Sequence, residues 1–272
     1  MNFQLYSKST VLENEPLAKH TSFRIGGRAL VYAEPQTESD LRAVAEFARE
    51  ADLPVFVMGS GSNLLFSDAG FPGIVICMRA YRNTVWTRDD HTLTASAGIA
   101  LSQLACRAKE EGCGGLEFLA SIPGTLGGAV MRNASYAVDG VLYSVADCLV
   151  RLTVFSPRTR ACRTLERDEL HFGYRLCEGV DGLITEVTMA VQNKSPQSIE
   201  ETIARCYQRR RSTQDLEYPS VGCIFKNPSQ SDSSAGRLID SCGLKGHQVG
   251  GARISRKHAN FIINTGRSEE RR

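Results

Sequence analysis

The sequence predicts a protein of mixed helix and strand, and three observations lead to that class. Helix and strand alternate over residues 37–78, a polar–apolar alternation runs over residues 146–154, and helices and short strands return beyond residue 193. Helix–strand alternation is typical of α/β architecture, whereas polar–apolar alternation indicates an antiparallel strand with one exposed face.

The first predicted helix begins at the capping-box-like run Thr37–Asp40. Apolar residues follow at helical spacing: Leu41, Val44, Ala45 and Ala48. Pro54 ends this helix, and the apolar run at residues 55–58 predicts a short buried strand. Another strand is predicted over residues 74–78.

A second helix is predicted over residues 101–111, because Gly112 is a typical helix stop. The even positions of residues 146–154 are apolar and predict a half-buried strand, for which residues 182–191 are the companion. Ser195-Pro196 marks a boundary, which we place near residue 193. Beyond it the sequence predicts a basic helix at 198–211, a glycine- and serine-rich loop to residue 234, a helix at 237–242 and a strand at 261–263.

Composition excludes several classes of protein. The 272 residues carry 32 Lys and Arg against 30 Asp and Glu, so the net charge of +2 favours neither nucleic acid nor an anionic membrane as partner. The start of the sequence lacks a signal-peptide pattern, and no apolar run approaches the roughly 18 residues of a membrane span. Nine cysteines without Cys-x-x-Cys spacing argue against a disulfide framework or zinc site, and we expect a reducing, cytoplasmic location.

Two glycine-rich segments could carry chemistry. The first glycine loop, Gly59–Leu65, follows a strand, and its amides and hydroxyls could cradle a diphosphate; a tight connection needing positive φ is the alternative. The second glycine loop, Ser121–Ala129, could admit a planar ring or a phosphate, or could be a crossing of packed backbones. Together they favour a large nucleotide-like ligand.

A series of motifs then occurs in one order along the chain: His20 to Gly27, the first glycine loop, Gly115 to Gly128, Gly173-Tyr174-Arg175, Gly222 to Pro228, Ala235 to Asp240, and Lys257 to Phe261. This series resembles the UDP-N-acetylenolpyruvoylglucosamine reductases, flavoenzymes that complete UDP-N-acetylmuramate for peptidoglycan. The resemblance spans about residue 17 to residue 264, nearly the whole chain. Tyr174-Arg175 and the Phe-Lys-Asn-Pro run point to this family rather than to flavin oxidases with the same cofactor domain.

The resemblance implies an α+β fold in two domains. After an N-terminal segment at residues 1–16, residues 17–193 would form a two-part FAD-binding domain of the vanillyl-alcohol-oxidase (PCMH) type. Residues 194–272 would form a smaller α+β substrate-binding domain. The residues implied to bind FAD are Arg24, Gly59, Ser60, Gly61, Ser62, Asn63 and Leu64, with Ile122, Pro123, Gly124, Thr125, Gly127, Gly128 and Ala129 along the flavin.

The implied reaction uses NADPH as hydride donor, FAD as carrier and a UDP-sugar enolpyruvyl ether as substrate. Charge builds beside the substrate carboxylate, where the guanidinium of Arg175 would bind; a surface arginine after a turn is the alternative. Cys223 stands where the family usually has Ser and would donate the proton, because a thiol of pKa about 8.5 stays mostly protonated at pH 7. The alternative for Cys223 is a small buried side chain.

Four further residues are implied to contact substrate: Tyr174, Lys226, Asn227 and Arg210. A core tyrosine and a solvated helix end are the alternatives for Tyr174 and Arg210. No metal site is expected, since His247 and His258 lack ligand spacing, and the oligomeric state is not predicted.

Two departures from the family leave other functions open. The run Asn133–Gly140 differs from the family's Asn-Ala-Gly-Ala-Tyr-Gly-like stretch. Relatives supply a catalytic Glu about thirty residues after the strand at 261–263, and Glu269 and Glu270 lie too close to that strand to take its role. The alternatives are therefore an FAD-binding protein of the same fold with weak or no activity, or an oxidoreductase for another substrate.

Overall fold

The computed structural model describes residues 9–81, 86–230 and 233–266, and it contains the predicted mixture of helices and strands. Glu269 and Glu270 lie outside these residues. The α-helices are α1 (Glu38–Glu50), α2 (Leu101–Glu110), α3 (Leu126–Met131), α4 (Val145–Cys148), α5 (Pro196–Thr213) and α6 (Ala235–Ser241). Short 3-10 helices lie at Leu17–His20, Met78–Ala80, Glu117–Ser121 and Arg167–Glu169.

The strands, in chain order, are β1 (Thr10–Pro16), β2 (Arg28–Glu34), β3 (Val55–Met58), β4 (Phe71–Cys77), β5 (Thr87–Arg88), β6 (Thr92–Ser96), β7 (Cys113–Gly114), β8 (Ser135–Val138), β9 (Val141–Ser144), β10 (Leu149–Ser156), β11 (Ala161–Glu166), β12 (His171–Gly173), β13 (Leu176–Glu178), β14 (Leu183–Ala190), β15 (Gln192–Asn193), β16 (Ser220–Cys223), β17 (Gln248–Val249), β18 (Ala252–Ile254) and β19 (Phe261–Asn264). They form larger sheets ordered β1-β2-β4-β3, β11-β10-β14-β6-β5 and β16-β19-β18-β17. Two-stranded ladders join β7 with β15, β8 with β9, and β12 with β13.

The first sheet carries helix α1, whose start follows the predicted capping box. The Thr37 hydroxyl accepts a hydrogen bond from the Asp40 amide at 3.2 Å, and Asp40 Oδ2 accepts one from the Thr37 amide at 2.9 Å. The fully buried Asp40 also accepts bonds from the Gln36 amide and the Ser9 hydroxyl. One carboxylate therefore fixes both the helix start and the chain entering it.

Strand β3 pairs in parallel with β4, from Val55 opposite Ile74 to Met58 opposite Cys77. The prediction that residues 55–58 form a buried strand is wrong in one respect. Val55 and Val57 are 37% and 41% exposed, because β3 is the last strand of its sheet and only Met58 is buried. An apolar sequence therefore does not distinguish an edge strand, which is partly exposed, from a fully buried one.

The second sheet confirms the predicted antiparallel companion strands. Strand β10 pairs with β14 from Leu149 opposite Met189 to Phe155 opposite Leu183. The predicted strand start at residue 146 is wrong, since residues 145–148 form the helical turn α4. Asp147 accepts hydrogen bonds from the amide and hydroxyl of Ser144, a capping box that favours helix over strand.

The chain divides into two compact units. The first comprises the described residues of Met1–Glu15, Leu30–Ser60 and Pro72–Tyr207, and the second those of Pro16–Ala29, Gly61–Phe71 and Gln208–Arg272. The first glycine loop thus passes from one unit to the other after Ser60. The domain boundary near residue 193 stays a prediction. Within the described ranges, no helix has both the length and the apolar character to cross a membrane.

The Asp40 carboxylate provides a test of how α1 is anchored. We expect Asp40→Ala to lower the free energy of unfolding by about 2–4 kcal/mol, because it leaves several donors without their acceptor. Glu38→Ala, which removes an exposed i,i+4 pair with Arg42, is the control and should cost less than about 0.5 kcal/mol. Urea titration measures both; equal losses for the two variants would contradict the assigned role of Asp40.

Candidate active site

The first glycine loop is shaped by two different glycines. Gly61 has φ +65°, in the left-handed region that favours glycine, so the tight-connection interpretation holds for this residue. Gly59 is required for another reason, because a Cβ there would lie 2.1 Å from Thr125 Oγ1 of the second glycine loop. The two loops therefore touch at Gly59 and Thr125, as a common ligand site requires.

The second glycine loop leads into helix α3. Thr125 is buried and precedes the helix, and its carbonyl accepts a hydrogen bond from the Ala129 amide at 2.9 Å. Gly127 packs on Ala97: its amide donates to the Ala97 carbonyl at 2.9 Å, and a Cβ would meet the Ala97 Cβ at 3.0 Å. Backbone crossing thus explains Gly127.

Gly128 is not explained by packing. It is exposed on α3, and its nearest neighbour for an added Cβ is Thr125 Oγ1 at 3.3 Å. An exposed glycine inside a helix costs about 1 kcal/mol relative to alanine. Gly128 leaves the backbone of α3 uncovered near Thr125, which contacts Gly59 of the first glycine loop. A flat ring can approach the backbone there, so the residues present fit a flavin nucleotide.

The rest of the first glycine loop is tied to other segments of the second unit. The Gly61 carbonyl accepts from the Ser22 amide at 3.1 Å, two residues before Arg24. Asn63 Nδ2 donates to the Val221 carbonyl at 3.0 Å, in the strand that ends at Cys223. Arg24 itself is exposed with φ +56°. The structure thus brings together the predicted FAD segments around Arg24 and Asn63 with the strand that carries Cys223.

Tyr174 and Arg175 form the two-residue turn of the β12–β13 hairpin, in which Gly173 pairs with Leu176. Tyr174 is 54% exposed, so it is not a core tyrosine. Arg175 has φ +57°, a left-handed conformation that costs a non-glycine residue about 1 kcal/mol. Its guanidinium carbon lies 5.9 Å from the Tyr174 ring centroid. Arg175 thus places its guanidinium at a strained hairpin tip, where glycine would relax the backbone.

The hairpin is held by a residue that the sequence did not single out as functional. Asn133 Nδ2 donates to the Gly173 carbonyl at 3.1 Å, and Asn133 Oδ1 accepts from the Ala146 amide at 3.1 Å. Asn133 begins the stretch that departs from the family pattern. Its φ of +39° lies in the left-handed region, a feature that the structure reveals and the sequence does not.

Cys223 ends β16 at a bulge. The register against β19 shifts between Ser220 and Cys223, and the intervening Gly222 has φ +77°. A bulge re-aims the side chain that follows it. Cys223 is an exposed thiol, so the alternative of a small buried cysteine does not hold. All nine cysteines lie in the described ranges, and none of them is part of a disulfide.

Asn260 fixes the segment after Cys223. This buried residue accepts from the Phe225 amide through Oδ1 and donates to the Phe225 carbonyl through Nδ2, both at 2.9 Å. Its backbone carbonyl accepts from the Ile224 amide at 3.0 Å. The predicted substrate residue Lys226, exposed to solvent, therefore follows a rigidly bonded turn. The place of Asn260 in the Lys-His-Ala-Asn-Phe motif was the available signal in the sequence, but no role was predicted for it.

The other predicted substrate residues differ in the hydrogen bonds that they already make within the protein. Asn227 Oδ1 accepts from the Ala235 amide at 3.0 Å, so its carboxamide oxygen already supports the start of α6. Arg210 is partly buried near the end of α5, where Nε donates to Gln214 Oε1 at 3.2 Å. His258 is structural in its contacts: Nδ1 accepts from the Asn260 amide, and burial lowers the pKa of the imidazole.

Glu117, like Asn133 and Asn260, was not singled out from the sequence. It is buried, and it accepts from the Gly115 amide at 2.7 Å and from Lys194 Nζ at 3.2 Å. The pair anchors the 3-10 helix that leads into the second glycine loop. A lone carboxylate between the apolar Leu116 and Phe118 was the available signal. Among the described residues, no cluster of His, Cys, Asp or Glu is suited to hold a metal ion.

Comparison with known proteins shows the family to which the chain belongs. The family model described as an FAD binding domain matches residues 29–164, and that of the UDP-N-acetylenolpyruvoylglucosamine reductase C-terminal domain matches residues 214–272. The UDP-N-acetylenolpyruvoylglucosamine reductase of Moorella thermoacetica is 40% identical over 262 residues, which cover 96% of this chain and 84% of that protein. The chain belongs to this reductase family. The predicted family is therefore confirmed.

Solved structures confirm the predicted α+β fold with its FAD-binding domain. The crystal structure of UDP-N-acetylenolpyruvylglucosamine reductase (MurB) from Thermus caldophilus matches with a TM-score of 0.77 and 34% identity, covering 96% of this chain and 89% of that one. BBE-like 1 of Physcomitrella patens matches with a TM-score of 0.50 and 15% identity over 68% of this chain and 42% of its own. At that identity the likeness shows the fold alone.

Asn260 provides a test of how the reductase's Cys223 segment is held. We expect Asn260→Ala to speed hydrogen exchange of the Phe225 amide about tenfold or more, because its acceptor is lost. The Ile224 amide is the internal control, since it donates to the backbone carbonyl of residue 260 and should keep its protection. Exchange measured by NMR distinguishes the two amides; equal acceleration of both would mean general unfolding rather than loss of the local bond.

Proposed function

We propose that this chain reduces UDP-N-acetylglucosamine enolpyruvate to UDP-N-acetylmuramate with NADPH as hydride donor and FAD as carrier. The observation that carries the proposal is the match of the chain, at 40% identity over 96% of its length, to a reductase of that name. The product is a precursor of peptidoglycan. We propose a cytoplasmic reaction, because the substrate is a nucleotide sugar and the reductant is NADPH.

For FAD we propose two groups of contacts in the chain. Amides of Gly59–Asn63, with the hydroxyls of Ser60 and Ser62 and the nearby Leu64 and Arg24, would hold the diphosphate, because successive amides form an anion-binding concavity. Ile122–Ala129 would line the ring, with Gly128 leaving the backbone bare. FAD held by these residues would supply the hydride transfer from NADPH to the terminal carbon of the enolpyruvyl ether.

Arg175 would bind and polarise the substrate carboxylate. A guanidinium carries a permanent charge and presents paired donors that match a carboxylate. Negative charge grows on the carboxylate side of the double bond as hydride adds at the other carbon, so a fixed cation there stabilises the transition state more than the ground state. Tyr174, exposed beside Arg175, would pack against the substrate or the nicotinamide.

Cys223 would donate the proton that completes the reduction. The exposed thiol ends a bulged strand, and thiols are stronger acids than the hydroxyl usual at this position in the family. Lys226, Asn227 and Arg210 would bind the carboxylate or diphosphate of the UDP-sugar. Residues 17–193 would thus serve the cofactor and residues 194–272 the substrate.

The deciding experiment is NADPH oxidation by the yellow holoprotein with and without UDP-N-acetylglucosamine enolpyruvate. We expect oxidation to depend on that substrate, with UDP-N-acetylmuramate as product. A folded protein that holds FAD but oxidises NADPH independently of this substrate would reject the proposal. That outcome would favour an oxidoreductase for another substrate, and no NADPH oxidation at all would favour an FAD-binding protein without this activity.

Cys223 gives a sharper prediction about the proton donor. We expect Cys223→Ala to lower turnover by about 10²–10⁴-fold, because the acid is lost, while FAD stays bound and NADPH still bleaches the flavin absorption. The matched control is Cys223→Ser, whose hydroxyl can donate the proton and should retain turnover. Stopped-flow absorbance separates the two half-reactions; normal turnover by the alanine variant would show that another group donates the proton.

Gly128 gives a prediction about the flavin site. We expect Gly128→Leu to change the thermal stability of the apoprotein little, because the helix propensity of leucine offsets the close approach of its Cβ to Thr125 Oγ1 at 3.3 Å. The same change should weaken FAD binding by about tenfold or more, since a side chain would occupy the bare patch. Met131→Leu, at an exposed position of the same helix, is the control. FAD affinity equal to wild type in Gly128→Leu would place the ring elsewhere.

A further inference from the structure

A buried polar cluster lies beneath the first glycine loop, and the proposed reaction makes no use of it. Tyr32 and Cys77 are 1% and 2% exposed. The Tyr32 hydroxyl donates to Glu34 Oε1 at 2.7 Å and neighbours the Cys77 thiol. Cys77 Sγ donates to the carbonyl oxygen of Gly59 at 3.3 Å. The cluster therefore ends on the first peptide of the loop.

The direction of that peptide follows from the Cys77 contact. In a planar trans peptide the carbonyl and the N–H point in opposite directions. The described residues contain no cis peptide bond. Because the Gly59 carbonyl faces the buried thiol, the N–H of the same peptide, which belongs to Ser60, faces away from the core. The first amide after the strand is thus turned outward, as anion binding requires.

Gly59 needs such a restraint more than another residue would. Glycine has the widest choice of backbone conformations, so its peptide is otherwise free to rotate. Thr125 excludes a side chain at this position and so prevents a bulkier residue from supplying the rigidity. The hydrogen bond from Cys77 therefore favours one orientation of this peptide.

We propose that Cys77 is a positioning residue for FAD: its thiol fixes the Gly59–Ser60 peptide so that the Ser60 amide is aimed at the cofactor diphosphate. This assignment rests on the proposed FAD site at the first glycine loop. Burial raises the pKa of the Cys77 thiol, so the group keeps its proton and stays a donor across the neutral range. Preorganised amides bind an anion more tightly because less ordering accompanies binding.

The test compares FAD release from holoenzyme variants, followed by the rise of flavin fluorescence on dilution. We expect Cys77→Ala to release FAD about fivefold to tenfold faster than wild type, which corresponds to one lost hydrogen bond. Cys77→Ser retains a donor and should stay within about twofold of wild type. The visible flavin spectrum should not change in either variant, because the ring contacts belong to the second glycine loop.

Cys148→Ala is the matched control for loss of a buried thiol. Cys148 is 8% exposed, and its thiol donates to the Val145 carbonyl at 3.4 Å, within helix α4 and without a hydrogen bond to either glycine loop. We expect this variant to lose thermal stability as Cys77→Ala does and to release FAD at the wild-type rate. Faster release from Cys148→Ala as well, or from Cys77→Ser as from Cys77→Ala, would overturn the positioning role, since packing would then account for the effect.

Two further outcomes distinguish a failure of this inference from a failure of the proposed function on which it rests. Wild-type protein that holds FAD, with Cys77→Ala releasing it at the same rate, overturns the inference and leaves the proposed function standing. Folded wild-type protein that binds no FAD overturns the proposed function and the inference together.

Discussion

The arrangement of the two glycine loops in the first unit depends on one constraint, which is that position 59 has no space for a side chain. A side chain there would collide with Thr125, so the end of β3 and the start of α3 can meet only across a bare backbone. Thr125 in turn begins the helix that presents Gly128, and the Gly59 carbonyl is bonded to Cys77 at the end of β4. This close contact thereby restricts how far the end of β3 and the start of α3 can lie apart.

The second unit uses a different device, in which side-chain amides bond backbone groups of distant segments. Asn260 holds Phe225, Asn63 holds Val221, and Asn264 Nδ2 donates to the Phe23 carbonyl at 3.0 Å. An amide offers a donor and an acceptor without a charge, so it can be buried between loops at lower cost than a carboxylate. Loops that cannot form a ladder gain fixed geometry in this way.

Local patterns predicted most elements, because capping, periodicity and turn chemistry depend on neighbours in sequence. The start of α1 at Thr37 and the β10–β14 pairing are examples. Edge position is a property of the whole sheet, so the exposure of β3 was not predictable from its own sequence. The capping box of Ser144 and Asp147 formed a helical turn where the alternating pattern had suggested a strand. At the candidate site, the family resemblance pointed to Arg175 and Cys223. Their supports Asn133 and Asn260 act across 40 and 35 residues, and single-sequence patterns do not encode such distances.

The left-handed backbone of Arg175 has a consequence for anyone who redesigns this protein. A procedure that ranks sequences by folding free energy would choose Gly or Asn at this hairpin tip and would count the change as an improvement. The variant would be harder to unfold, while the cation of the turn would be gone. Stability optimisation of this chain would therefore act against the role proposed for residue 175, because a left-handed backbone is the feature that such a procedure removes first.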